Sequence, residues 1–174
     1  MADLSEFSLV LASFHAASDG AAEGGQISTA LNPIPPTKDG FFYAITANPS
    51  GQGTKRRFMK MFLTNKSTIT VSSAKLWIST QEKSPQIKIA LERTSAGIIA
   101  RNYSTFINTP ESLPPGLSLG HFTLAPSIGV ALEAGGTGSL NADENQGIWV
   151  MQELLEGIIG DVSVPVKFGL TISE

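Results

Sequence analysis

The chain contains no cysteine. Disulfides, thiolate metal sites and cysteine nucleophiles are excluded together. The clue that cysteine usage gives about redox compartment goes with them. Charge is scarce as well. Asp, Glu, Lys and Arg make up 16% of the 174 residues, against about 25% in an average globular domain. The net charge of −3 supplies no field that would gather a polyanion, so nucleic acid is not an expected partner. Two Trp and two Tyr give no hint of an aromatic-lined cleft. No apolar run is long enough for a membrane-spanning helix, which needs about 20 residues. The opening "MADLSEFSLVLASFHAASDG" has no basic residue ahead of its short apolar run and carries Asp3 and Glu6. It is expected to be mature sequence, not a secretory leader.

What the chain does have is hydrophobicity, at 41%, which sets it apart from disordered sequences. Its length fits one domain, 1–174, with a sizeable core. The surface should be rich in Ser, Thr, Asn and Gly, a composition suited to docking on other proteins.

Apolar runs of four to ten residues alternate with Gly, Pro, Asn and Ser clusters, and no repeat is visible. That pattern predicts an all-β protein, an antiparallel two-sheet sandwich of immunoglobulin-like or jelly-roll-like type, with eight to ten strands. Strands are predicted at 7–14, 41–47, 54–65, 70–79, 86–92 and 148–154, with one or two more around Pro126. A short strand is also open at Leu140. Residues 15–40 read as an extended, loop-rich N-terminal arm with one short strand near Ile27, because the prolines of "LNPIPPTKDG" forbid helix. In 54–65, Phe58, Lys60 and Phe62 fall on one face and Met59, Met61 and Leu63 on the other. One dry and one wet face is the expectation for such strands. Only "MQELLEGII" has a helix-compatible pattern.

The closing "VSVPVKFGLTIS" places Val162, Val164, Val166, Phe168, Leu170 and Ile172 on one face. It predicts a closing strand with a strongly set register. Pro165 should lie at a sheet edge or bulge, since it cannot donate to the ladder.

Catalytic signatures are missing. His15 and His121 have no second ligand at a useful spacing, and His121 beside Phe122 reads as a half-buried strand residue. There is no Gly-x-Ser-x-Gly elbow and no dinucleotide or phosphate-binding loop. "GGTGS" (135–139) reads as a flexible hairpin connection. "NADEN" (141–145) reads as a solvated turn, because it does not match the calcium-loop pattern. No cofactor and no metal are expected. The single basic cluster is Lys55, Arg56 and Arg57 with Lys60. Three readings are open for it: a solvated strand start that discourages edge-to-edge pairing, a surface for docking on an acidic protein, or a nucleic-acid contact. Protein docking makes these four residues the candidate site.

Three stretches carry a resemblance: "TKRRFMKMFLTNKSTITVSSAKLWIST", "LEAGGTGSLNADENQGIWVMQEL" and "VPVKFGLTISE". They resemble a group of tailed-bacteriophage virion proteins with an immunoglobulin-like sandwich. In that group a "K-N-T"-like turn leads into an "A-K-V-W-I"-like strand, here "FLTNKST" and "AKLWIS". A later "G-x-L-x-x-G-x-x-x-G-I-W-V-R-R" segment precedes a closing "F-T-L-x-V" strand. Here these positions are Gly138, Leu140, Gly147, Ile148, Trp149 and Val150, then Phe168, Leu170 and Ile172. The glycine-rich "LASFHAASDGAAEGGQIS" is similar to the openings of the same group. The arginines and "V-P-A-G" turn that follow the Trp in the group are replaced here by "MQELLEGIIGD".

The resemblance implies a non-enzymatic structural protein, made in the host cytoplasm and carried on the outer capsid surface of the virion. The leading expectation is a capsid decoration (cement) protein. Its partners would be the major capsid protein and neighbouring copies of itself, as a homotrimer, with no nucleic acid and no membrane. A loose arm can add a strand to a neighbour's sheet edge. A neck, tail or fibre-associated virion protein is the alternative. A third expectation is an adhesive module for a host surface glycan, which would need Trp77 and Trp149 exposed.

Overall fold

A computed structural model describes residues 7–14, 22–27, 50–80, 86–127, 129, 131–157 and 167–172. Nine strands occur among them: β1 (Phe7–Phe14), β2 (Glu23–Ile27), β3 (Lys55–Asn65), β4 (Lys75–Thr80), β5 (Gln86–Leu91), β6 (Phe106–Ile107), β7 (Leu132–Glu133), β8 (Asn145–Leu154) and β9 (Lys167–Thr171). They form two antiparallel sheets. One has six strands in the order β5-β8-β3-β1-β2-β6, and the other has three in the order β7-β4-β9. The protein is an all-β antiparallel sandwich, as the run lengths predict.

The two sheets meet over alternating side chains. Met59, Met61 and Leu63 of β3, Ile148 and Val150 of β8, and Ile87, Ile89 and Leu91 of β5 face Leu76 and Ile78 of β4. Phe168 and Leu170 of β9 and Ile172 after it pack against the same cluster. This is the face that period 2 assigns to the core, and each full burial is worth about 1.5–3 kcal/mol. Val162, Val164, Pro165 and Val166 lie outside the described residues, as do His15, the 41–47 run and most of the arm. The short strand near Ile27 is β2.

The second face of the large sheet is also dry, which corrects the one-wet-face expectation. Ile107 and Leu117 come from the stretch 93–118, where no strand is predicted, and Phe122 from the stretch that leads to Pro126. They cover Phe58, Ala90, Trp149 and Met151 and form a second cluster. The cover is pinned at Phe58, whose backbone N–H donates to Pro110 O at 2.7 Å, and at Ile89, which exchanges backbone bonds with Thr123. A segment without periodicity gives no sign from sequence that it will lie flat on a sheet.

Other local expectations need correction. Met151–Leu154 belong to β8 and are not helical, and a turn follows at Glu156 and Gly157. His121 is exposed in a one-turn 3-10 helix, Leu119–His121, with Nδ1 accepting from Ser118 N–H at 2.9 Å. It is not a half-buried strand residue. Val71 and Leu140 make an isolated bridge and not a strand. "GGTGS" is no loose connection. It wraps back so that Gly138 N–H donates to Ala134 O and Gly138 O accepts from Ala74 N–H.

The "FLTNKST" turn is organised by buried Asn65. Its Nδ2 lies 2.9 Å from Ile69 O and 3.0 Å from both Leu140 O and Asn141 O. Its Oδ1 accepts from Ser67 N–H and O–H. One amide thereby ties the turn after β3 to the approach to β8, and every buried polar atom of it is satisfied.

Candidate functional site

The polar site of this protein lies inside the second cluster. Along β3 the even residues Arg56, Phe58, Lys60 and Phe62 share a face with Gly147, Trp149, Met151 and Glu153 of β8. Lys60 is directly opposite Trp149. On the far side of β8, Ala90 is paired with Trp149, and Glu92 follows β5 on the same face. Glu92 N–H donates to Gly147 O at 2.8 Å. Glu92 then reaches over β8, across the place where Gly147 has no side chain. A Cβ at Gly147 would stand 2.0 Å from Glu92 Oε2.

There Glu92 meets Lys60. Lys60 Nζ donates to Glu92 Oε1, and both side chains are 0% exposed. Nζ also faces Gly25 O at 3.0 Å, Thr105 O at 3.2 Å and Tyr103 O at 3.4 Å. The rings of Phe62 and Trp149 stand 4.6 and 5.7 Å from Nζ, and cation–π attraction adds to the cage. Glu92 Oε1 accepts two further bonds, from Thr105 N–H at 2.9 Å and from the Thr105 hydroxyl. Glu92 Oε2 is buried with no partner among the described residues, and so is Trp149 Nε1.

A second carboxylate completes the site. The register between β1 and β3 ends at Leu11↔Met61, and the pairing of β1 with β2 is irregular between Ala12 and Phe14. Lys60 N–H lies just past that point and donates to Glu23 Oε1 at 3.0 Å. Glu23 is itself buried. Burial lowers the Lys60 pKa from 10.5 to about 8, opposed by the attraction of Glu92 and Glu23. Loss of hydration, not a like charge, drives the shift.

The basic cluster is divided by the fold. Lys60 is inside the protein and cannot serve a docking surface. Arg56 pairs with Glu153, Nε to Oε2 at 2.7 Å, and Arg57 pairs with Glu111 at 3.4 Å. Lys55, Arg56 and Arg57 are each half-buried at the start of β3. The "NADEN" carboxylates hold their own turn: Glu144 accepts from Asn141 N–H at 2.8 Å and pairs with Arg101 at 3.5 Å. Among the described residues no group of three His, Cys, Asp or Glu converges as a metal site would require. Trp149 is fully buried, and Trp77 is half-buried with its ring lying over Gly169. No helix among the described residues is long and apolar enough to cross a membrane.

Sequence reasoning missed the pairing of Lys60 with Glu92. The signal for it was the company of Lys60: two phenylalanines share its side of the strand, which a solvated face would not carry.

Glu153 is the other charged hub. Its Oε1 accepts from Lys88 and its Oε2 from Arg56, both at 2.7 Å. Burial alone would raise its pKa, but these bonds outweigh it and hold the carboxyl below 4.5. A depressed carboxyl stabilises the fold above its unfolded pKa, and that contribution is lost as pH falls through the lower folded value. Glu153→Gln should therefore cost about 1 kcal/mol at neutral pH. The gap to wild type should close as urea titrations are repeated below pH 4.5; a gap that stays constant with pH would contradict the assignment.

Comparison of the chain with protein-family models, with curated proteins and with solved structures gave no match.

Proposed function

We propose that this protein is a non-enzymatic structural component of a tailed-phage virion, a capsid decoration protein that docks on the outer shell and reinforces contacts between major capsid subunits. The observation that supports the reading is where the phage-like motif residues fall. Asn65 closes the turn after β3 with Leu140 O as one of its partners, Gly138 ties down Ala74 ahead of β4, and Gly147, Ile148, Trp149 and Val150 form the buried heart of β8. Those motifs go into a rigid platform, which is what a shell-bracing protein needs. Reinforcement then follows from binding the assembled shell more strongly than separated subunits.

Purified virions provide the test. The protein should be present at a copy number comparable with the major shell protein, and a particle reconstruction should place it on the outer shell. Particles lacking it should lose heat resistance. A few copies at one vertex would favour the neck or tail reading, and unchanged heat resistance would count against reinforcement.

A further inference from the structure

We infer that Lys60 and Glu92 condense into an intramolecular isopeptide bond, so that this chain covalently locks its own large sheet. The inference does not depend on the virion reading. It stands on one juxtaposition: an amine and a carboxyl group in direct contact, both wholly buried, with hydrogen-bond donors already placed on one carboxyl oxygen.

The step balances without a co-reactant. One proton passes from the ammonium to the carboxylate, giving an amine and a carboxylic acid. Burial eases the loss of that proton from Lys60. The Nζ lone pair attacks Glu92 Cδ and a C–N bond forms. Negative charge develops on Oε1, where Thr105 N–H and O–H already point. That is the arrangement of an oxyanion hole. The C–Oε2 bond then breaks. Two of the three ammonium protons leave with Oε2 as one water, and no atom changes oxidation state.

The surroundings favour the product. The departing oxygen is Oε2, the one carboxyl oxygen of Glu92 without a partner among the described residues. The oxygen that stays keeps both Thr105 donors. The amide N–H that remains has Gly25 O at 3.0 Å. Tyr103 O and Thr105 O, on the longer contacts, belong to a part-buried stretch where water can replace the lost donor. Phe62 and Trp149 exclude water from the amine. The lowered basicity of Lys60 enlarges its neutral, nucleophilic fraction. Holding the two groups in contact supplies the effective concentration, about 10⁵ M or more in well-oriented intramolecular reactions. Glu23 is a positioning residue, because it fixes the Lys60 backbone.

Intact mass spectrometry of the full-length protein, denatured after purification, tests this directly. Wild type should be lighter than its sequence mass by one water. Trypsin should fail to cut after Lys60 and should release a branched fragment joining the Lys60 and Glu92 peptides. Lys60→Arg should keep its full mass, since a guanidinium is no nucleophile here. In an acid-quenched time course of cell-free synthesis, Thr105→Ala should form the bond about 100-fold more slowly, and Thr105→Ser should restore the rate. Wild-type protein that is folded by circular dichroism yet keeps its full mass overturns the inference. So does a water loss mapped to any other residue.

Discussion

Lys60→Met should destabilise the fold by about 3–5 kcal/mol, a shift of roughly 10 °C or more in Tm for a domain of this size. Methionine fills much of the lysine volume, so packing against Phe62 and Trp149 is largely kept. What is lost is the Lys60 nitrogen, which, as a cation or as the inferred amide, keeps Glu92 from standing as an unpaired buried charge. The carboxylate is left buried over Gly147 with Thr105 as its remaining donor among the described residues. Total stabilities of about 5–15 kcal/mol leave little margin for such a loss. The double variant Lys60→Met, Glu92→Leu should be more stable than Lys60→Met alone, because it removes the stranded charge. Neither variant can carry an isopeptide bond, so the comparison isolates the charge whatever the covalent state of wild type. Urea titration of both proteins gives the answer. A double variant less stable than Lys60→Met would show that Glu92 is not a stranded charge.

How legible was this in the sequence? β1, β3 and β5 were, because each is an apolar run of strand length set between turn-forming residues, and β5 also alternates. The parity of "FMKMFLTN" was legible too: Phe58, Lys60 and Phe62 do share a face. The environment of that face was not. A lysine in an alternating run is usually a marker of solvent. The segment that covers it carries no period, and the carboxylate that neutralises it follows a different strand. Burial of Lys60 depends on four contributions far apart in the chain: Glu23, Glu92, Thr105 and Trp149. Only the fold brings them together. The same limit applies to the basic cluster. "KRR" reads as one patch, yet strand alternation sends Arg56 toward Glu153 and Arg57 toward Glu111. The motif glycines were legible as positions but not as mechanisms, and Gly147 shows why. Its backbone is ordinary for a strand, and the requirement for glycine comes from a side chain on the neighbouring strand.

That requirement gives the second large effect. Gly147→Ala should cost about 2–4 kcal/mol, in the range of breaking a buried ion pair. Gly→Ala inside a strand would otherwise be stabilising by about 0.5–1 kcal/mol. The new methyl would stand 2.0 Å from Glu92 Oε2 and 2.8 Å from its Cδ. It can be accommodated only if the carboxyl swings off Gly147, and the swing takes it away from Lys60. The effect should therefore reverse when Glu92 is shortened. In a Glu92→Ala background, of the three nearest atoms, Glu92 Cβ at 3.0 Å is the one that remains. A shift of a few tenths of an ångström relieves it, and Gly147→Ala should be neutral or stabilising in that background. Denaturant titration of the four proteins in this cycle measures the coupling of position 147 to Glu92, including any contribution of the inferred amide in wild type. Equal cost in both backgrounds would mean that the methyl clashes with something other than Glu92. The same variant bears on the covalent bond. With the carboxyl displaced, Nζ has no carbon to attack, and Gly147→Ala should retain the full sequence mass even where it folds.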